Sequence, residues 1–213
     1  MKDPYHEEWK NTKHALAYLA RADKLPHRTE GEKVLLEQIP PNTQRILDLG
    51  TGNGRLLALV LIGRPNSEGV GLDYSEPMLA EARKRFAENK NAKVIKHDLN
   101  DPLPLELGNF GAVVSSLAIH HCTHARKKRL YQEIFNLLNP KGVFCNLEHV
   151  ASSTQTLHAK FLSLVGQTLE TEDKSNKLLD VETQLRWLRK IGFKDVDCYW
   201  KWLELALLVG VKP

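Results

Sequence analysis

Three glycines, Gly50, Gly52 and Gly54, alternate behind Asp48 at the end of the apolar run Arg45-Ile46-Leu47-Asp48-Leu49. Glycines in that pattern let backbone amides approach a ligand that side chains elsewhere hold away. The spacing is not that of a dinucleotide loop, whose third glycine falls three residues after the second, where this chain has Arg55. Asp48 points the same way, because an acid beside the cradle repels a pyrophosphate and attracts a ligand carrying an ammonium group. Two further acids end expected strands. Asp73, in Gly71-Leu72-Asp73-Tyr74-Ser75, lies about twenty residues beyond the glycine loop and suits the two hydroxyls of a ribose. Asp98, in Lys96-His97-Asp98-Leu99, suits the amino group of an adenine ring. A lone strand-end aspartate is most often a turn residue, whereas three around one glycine loop describe a site for a nucleoside that bears a cation.

A second set could move protons. His120 and His121 close the run Val113-Val114-Ser115-Ser116-Leu117-Ala118-Ile119, at the end of the expected fourth strand. A neutral imidazole, with an ordinary pKa near 6.5, accepts the proton of a phenol or a carboxylic acid at physiological pH. His120 is the first candidate for that base. On an extended backbone the two rings should point apart, so that one faces a substrate and the other supports the loop. A packing role for both fits equally well. Glu148 and His149, at the end of the expected fifth strand, face the same rim, either to orient a substrate or to end the strand. No metal is expected. The strand ends lack an Asp-Asp-Asn set for oxygen coordination, and His120, His121 and His124 read as loop histidines rather than zinc ligands.

Such groups must be carried by a sheet whose strand ends share one side. Hydrophobic runs predict strands over 45–50, 68–73, 92–97, 110–117, 142–149, 193–200 and 203–211, with helices in most gaps. That alternation builds an α/β, doubly wound, mostly parallel sheet. The last two runs are separated by about two residues, too few for a parallel crossover, so they pair as an antiparallel hairpin or are joined by a kink. Ser75 and Pro77 read as the cap and first turn of a helix with Leu79, Ala82 and Phe86 inward. Another helix carries the stripe Val181, Leu185, Leu188, with Arg189, Lys190 and Gly192 at its end. Asn139-Pro140-Lys141-Gly142 reads as a turn. Arg126-Lys127-Lys128-Arg129 opens a helix whose stripe is Leu130, Ile134, Leu137 and Leu138, and reads as a solvated face.

The 213 residues, 42% of them hydrophobic, suffice for a single domain with one sizeable core. Lys and Arg exceed Asp and Glu by 30 to 26, an excess too small and too scattered to argue for nucleic acid. Cys122, Cys145 and Cys198 are odd in number and show no CxxC spacing, which argues against a disulfide framework and against structural zinc. The first residues lack the apolar core of a signal peptide and no stretch approaches a membrane span, so a cytoplasmic protein is expected.

These motifs together resemble the class I S-adenosylmethionine-dependent methyltransferases, in the small-domain group of ubiquinone and menaquinone biosynthesis enzymes and natural-product methyltransferases. The likeness rests on Asp48-Leu49-Gly50-Thr51-Gly52-Asn53-Gly54, Leu72-Asp73-Tyr74-Ser75-Glu76-Pro77-Met78-Leu79, His97-Asp98-Leu99, the run Val113 to His121, and Leu137-Leu138-Asn139-Pro140-Lys141-Gly142. It covers residues 45 to about 150 and implies a Rossmann-like seven-stranded sheet in the order 3-2-1-4-5-7-6, with strand 7 antiparallel and helices on both faces. By the same likeness Gly50, Thr51 and Gly52 line the methionine part of S-adenosylmethionine, Asp73 holds the ribose, and Asp98 and Leu99 flank the adenine. Tyr74 and Met78 stand where the family makes apolar contacts to adenine and ribose, although Met78 reads equally well as plain core, and Ser116 matches a position that approaches the sulfonium. Outside that stretch, Arg28 reads either as a surface residue or as a bidentate partner for the methionine carboxylate.

The expectation is one methyltransferase domain over 1–213. Residues 1–40 would form an N-terminal helical lid, through Trp9, Leu16 and Leu19 and then Val34, Leu35 and Ile39, and 154–172 an inserted lid with Leu157, Phe161, Leu164 and Val165 on one face. Trp187, Trp200 and Trp202 offer aromatic surface for a substrate or packing at the sheet edge. The expected activity is methyl transfer to a small-molecule acceptor, at oxygen, by direct displacement, in a monomer or homodimer that contacts neither nucleic acid nor membrane. The alternatives are an RNA- or protein-modifying methyltransferase and a non-catalytic S-adenosylmethionine-binding module.

Overall fold

The computed structural model describes residues 6–15 and 25–213; Leu16 and Leu19 of the expected lid lie outside the described residues. Seven strands form one sheet: β1 (Arg45–Leu49), β2 (Glu68–Asp73), β3 (Ala92–Lys96), β4 (Phe110–Ser116), β5 (Leu138–His149), β6 (Lys194–Trp202) and β7 (Leu205–Val211). Their order is β3-β2-β1-β4-β5-β7-β6, as the resemblance implies. The first five are parallel, and β7 runs antiparallel between β5 and β6. Only Leu203 and Glu204 separate β6 from β7, which forces the reversal. Leu203 takes a φ of 48°, the left-handed backbone that so tight a turn requires.

Both faces of the sheet are covered. Among the described residues the α-helices around it are α1 (Arg28–Gln38), α2 (Arg55–Gly63), α3 (Glu76–Arg85), α4 (His124–Leu137), α5 (Gln155–Leu164) and α6 (Val181–Ile191). Alternation along each central strand sends side chains both ways. Leu47, Leu49 and Val113 meet Leu130, Tyr131 and Ile134 of α4 and Leu185 and Leu188 of α6. Ile46, Ala112 and Val114 meet Leu35 of α1 and Leu57 and Val60 of α2. Each such fully buried aliphatic side chain contributes about 1.5–3 kcal/mol of burial free energy.

Several local expectations change. Leu35 and Ile39 are in the sheet's packing layer, not over a cavity, so α1 is a core helix whose first turn alone reaches the site. Ser75 stands at the N-cap of α3 as expected, yet its hydroxyl donates to the Trp9 carbonyl and does not cap the helix. Residues 139–142 belong to β5 because Leu138 pairs with Phe110, although Lys141, at φ 64°, still makes the turn that the sequence suggests. On α5 the buried pair is Phe161 and Leu162, while Leu157 and Leu164 are exposed.

The basic run on α4 is half interior. Arg126 and Lys127 are buried, and only Lys128 and Arg129 are solvated. Arg126 sits one turn before Leu130 and Lys127 one turn before Tyr131, so both share the inward face. Burial is tolerated because both side chains find acceptors. Arg126 donates to the Leu99 carbonyl at 2.6 Å, the Asp101 carbonyl at 2.8 Å and both Glu133 oxygens, and the Lys127 ammonium donates to the Lys177 carbonyl.

Candidate active site

β1 and β4 are neighbours whose following connections leave in opposite directions along the sheet, the switch point at which open α/β sheets bind ligands. A cavity opens there, outside the carboxyl ends of β1 to β4. Its wall contains Arg28, Asp48, Gly50, Thr51, Gly52, Asp73, Tyr74, Met78, Asp98, Leu99 and Ser116, together with Trp9, Asn53, Arg55, His97, Leu117 and His121, for which the sequence suggests no cofactor contact. Arg126 stands behind this wall, and through the Leu99 carbonyl it fixes the turn after β3. Its inward face could have been found from its spacing to Leu130.

Local geometry puts the glycine loop against the acids. Gly50 has φ 68°, and a Cβ there would lie 2.1 Å from that of Ala118, so the loops after β1 and β4 touch only because residue 50 is glycine. Gly52 has φ 55° and nothing within 4 Å of the Cβ direction. The Gly52 amide donates to Asp73 Oδ2 at 2.8 Å and the Ser75 amide to Asp73 Oδ1 at 2.8 Å, so one carboxylate ties the glycine loop to the end of β2. Burial raises the Asp73 pKa against these two amides, which lower it.

Asp48 is 1% exposed; its Oδ2 accepts from the Thr51 hydroxyl at 2.6 Å, and its Oδ1 is buried with no hydrogen-bond partner. Burial pushes its pKa up to about 7, the Thr51 bond opposing and the Asp73 charge adding. At the cavity mouth the buried Glu32 takes a hydrogen bond from Arg28 Nε at 2.9 Å and pairs with Arg55 through the same Oε1. Two further polar atoms of the wall, Ser116 Oγ and His97 Nε2, are buried without partners.

The histidines separate in a way that strand geometry does not give. Residues Ile119–His121 form a 3-10 turn, not extended chain, and the rings of His120 and His121 lie 4.0 Å apart rather than pointing away from each other. His121 lines the cavity; His120, the first candidate for the base, does not, and its Nδ1 is 2.8 Å from Glu148 Oε1 in the core. Burial holds both imidazoles well below their ordinary pKa, with His120 itself adding to the effect on His121. Glu148 is buried and its pKa raised by that burial, while His149 pairs with Glu204 at 2.9 Å. Trp200 packs on Gly31, and Trp202 lies 4.5 Å from the His27 ring and 5.9 Å from Phe161, so sheet-edge packing accounts for these indoles.

A family model described as a methyltransferase domain matches residues 46–142, the stretch that contains the glycine loop, all three aspartates and both histidines. Residues 46–142 thus match a methyltransferase domain, within a sheet of the Rossmann-like methyltransferase order. The chain is 23% identical over 198 residues to the carboxy-S-adenosyl-L-methionine synthase of Desulfotalea psychrophila, covering 84% of this chain and 80% of that protein. It superposes on an O-methyltransferase family protein from Burkholderia thailandensis with a TM-score of 0.76 at 17% identity, over 97% of this chain and 62% of that one. Human N-acetylserotonin methyltransferase, solved in complex with its cofactor, gives 0.67 at 15% identity, over 96% and 57%. The chain thus spans less than two thirds of either solved chain. Among the described residues of the methyltransferase, no helix is long and apolar enough to cross a membrane.

The wall fits S-adenosylmethionine. The open direction at Gly52 leaves room that any side chain would fill, and the buried acceptor Asp48 Oδ1 suits a cationic group. Gly50→Ala should cost about 2–5 kcal/mol of stability, from the left-handed φ and the clash with Ala118. Gly52→Ala should cost about 1–2 kcal/mol of stability yet weaken cofactor binding about tenfold or more, because its methyl projects into open cavity. Urea unfolding and calorimetric titration separate the two; equal behaviour of the variants would refute this division.

Asp48 sets a pH signature. Its folded pKa of about 7 lies above its ordinary value of 3.8, so its contribution is fully present below pH 3.8 and is lost as pH rises through about 7. The stability of the methyltransferase relative to Asp48→Asn should therefore fall by up to about 4 kcal/mol across that window. Urea unfolding of both proteins at a series of pH values measures the difference, and a constant offset would contradict the assignment.

Proposed function

We propose that this methyltransferase moves the methyl group of S-adenosylmethionine to an oxygen of a small-molecule acceptor with an acidic proton, a phenol or a carboxylic acid, and that His121 takes the proton. The observation that carries this reading is a buried, neutral imidazole in the wall of the same cavity as Asp48, Asp73 and Asp98. When bound, S-adenosylmethionine supplies a sulfonium-activated methyl group, for which alignment is the main catalytic requirement.

The chain's own residues do the aligning. Arg28 faces the methionine carboxylate and Asp48 the ammonium group, while Gly50, Thr51 and Gly52 run along the methionine portion. Asp73 holds the ribose, Tyr74 and Met78 contact ribose and adenine, Asp98 and Leu99 flank the adenine, and Ser116 lies toward the sulfonium. His121 stays unprotonated at neutral pH and is a weak base, which suits an acidic hydroxyl better than an aliphatic one. His120 supports it from the core through Glu148. The curated relatives' name favours a second reading, in which the product is a carboxylated S-adenosylmethionine.

Supplying S-adenosylmethionine with a panel of phenols, carboxylic acids and amines, and following S-adenosylhomocysteine by chromatography, tests the proposal. Turnover with phenols or carboxylic acids is the expected result. A heavier sulfonium product by mass spectrometry would favour the second reading. Cofactor binding without turnover on any acceptor would favour a non-catalytic module, and turnover only on RNA or protein would favour a macromolecular substrate.

A further inference from the structure

We propose that Ser175 and Asp173, more than 50 residues beyond the histidine pair in the chain, are positioning residues that lock His121 in the tautomer with its proton on Nδ1, so that Nε2 presents a lone pair to the cavity. This rests on the reading of His121 as the proton acceptor.

Ser175 is 3% exposed, and its hydroxyl touches two partners: Asp173 Oδ1 at 2.7 Å and His121 Nδ1 at 2.7 Å. One hydroxyl proton cannot serve both. A carboxylate is a stronger acceptor than a neutral imidazole nitrogen, so the hydroxyl donates to Asp173. The serine oxygen then meets Nδ1 with its lone pairs, and Nδ1 must carry the hydrogen. In a neutral imidazole the other nitrogen is then bare. His121 lines the cavity, and Nε2 is the nitrogen left to face it. The order differs from that of a serine nucleophile, where the acid sits on the histidine and the histidine on the serine. Here the acid sits on the serine, which serves as the orienting group.

The segment carrying Ser175 is fastened to the histidine turn. The Ser175 amide also donates to Asp173 Oδ1 at 2.8 Å, the Lys177 amide donates to the His120 carbonyl at 2.8 Å, and the Leu178 carbonyl lies 3.0 Å from His124 Nε2. Just upstream, Glu172 Oε2 lies 3.1 Å from His158 Nε2 on α5. The two halves of the relay are therefore held from both sides.

Nitrogen-15 spectra of the histidines in the full chain, without cofactor, read the tautomer directly, with His121→Gln assigning the signal. The expected result is a protonated Nδ1 and a bare Nε2 in the wild-type protein, a shift toward the opposite tautomer in Ser175→Ala, and recovery in Ser175→Thr. With an acceptor in hand, Ser175→Ala should lower kcat about 10- to 100-fold and leave the cofactor KM within about threefold, with Ser175→Thr restoring kcat. A proton on Nε2 of the wild type, or an unchanged tautomer in Ser175→Ala, overturns the proposal. A tautomer that shifts in Ser175→Ala while kcat stays constant upholds the positioning and refutes His121 as the base.

Discussion

His121→Ala is expected to slow methyl transfer about 10²- to 10³-fold while the Kd for S-adenosylmethionine stays within about threefold. The imidazole is in the cavity wall and its Nδ1 is occupied by Ser175, so truncation would remove the proposed proton acceptor and leave the glycine loop, Asp73 and Asp98 in place. His120→Ala is the control. That ring is buried against Glu148, whose Oε1 would keep only the His149 amide at 3.0 Å, and the lost hydrogen bond and packing should cost about 1–3 kcal/mol in stability. Folded His120→Ala should then retain most of its rate. The pH profile adds a sign. Because His121 is held below its ordinary pKa, the rate should fall only on the acid side, at a pH lower than a solvated histidine near 6.5 would give. Single-turnover rates across pH decide the matter. A wild-type rate in His121→Ala, or a limb that persists in that variant, excludes it from proton transfer.

Asp73→Ala should weaken S-adenosylmethionine binding by about 2–4 kcal/mol, some 30- to 1000-fold. Ribose recognition alone would account for the lower end. The larger figure follows because Oδ2 and Oδ1 also accept from the Gly52 and Ser75 amides, each at 2.8 Å. Removing the carboxylate deprives the ligand of an acceptor and releases the loop that cradles it. Asp73→Asn keeps one acceptor oxygen and should fall between the two proteins in affinity. Titration calorimetry is the measurement, and an alanine variant that binds within about threefold of wild type would sink both roles at once.

What the sequence alone determined is what local chain geometry dictates. Glycines at 50, 52 and 54, acids at 48, 73 and 98, and a link too short for a crossover between the last strands each act within a few residues. They place the cofactor motif at strand ends and reverse β7 whatever packs around them. The ten cofactor residues read from that motif share one cavity because strand ends at a switch point converge by topology, and Arg28 joins them from the first turn of α1. What only the tertiary structure decided depends on groups that meet across the chain. A 3-10 turn turns His121 to the cavity and His120 to Glu148, which neighbouring positions in an extended run could not distinguish. Arg126 and Lys127 point inward because backbone carbonyls at Leu99, Asp101 and Lys177 await them. Ser175 and Asp173 reach His121 from a segment with no motif of its own. A hydrogen-bond partner more than 50 residues away leaves no periodicity to read, so the sequence names the methyl donor while packing decides which histidine faces the cavity.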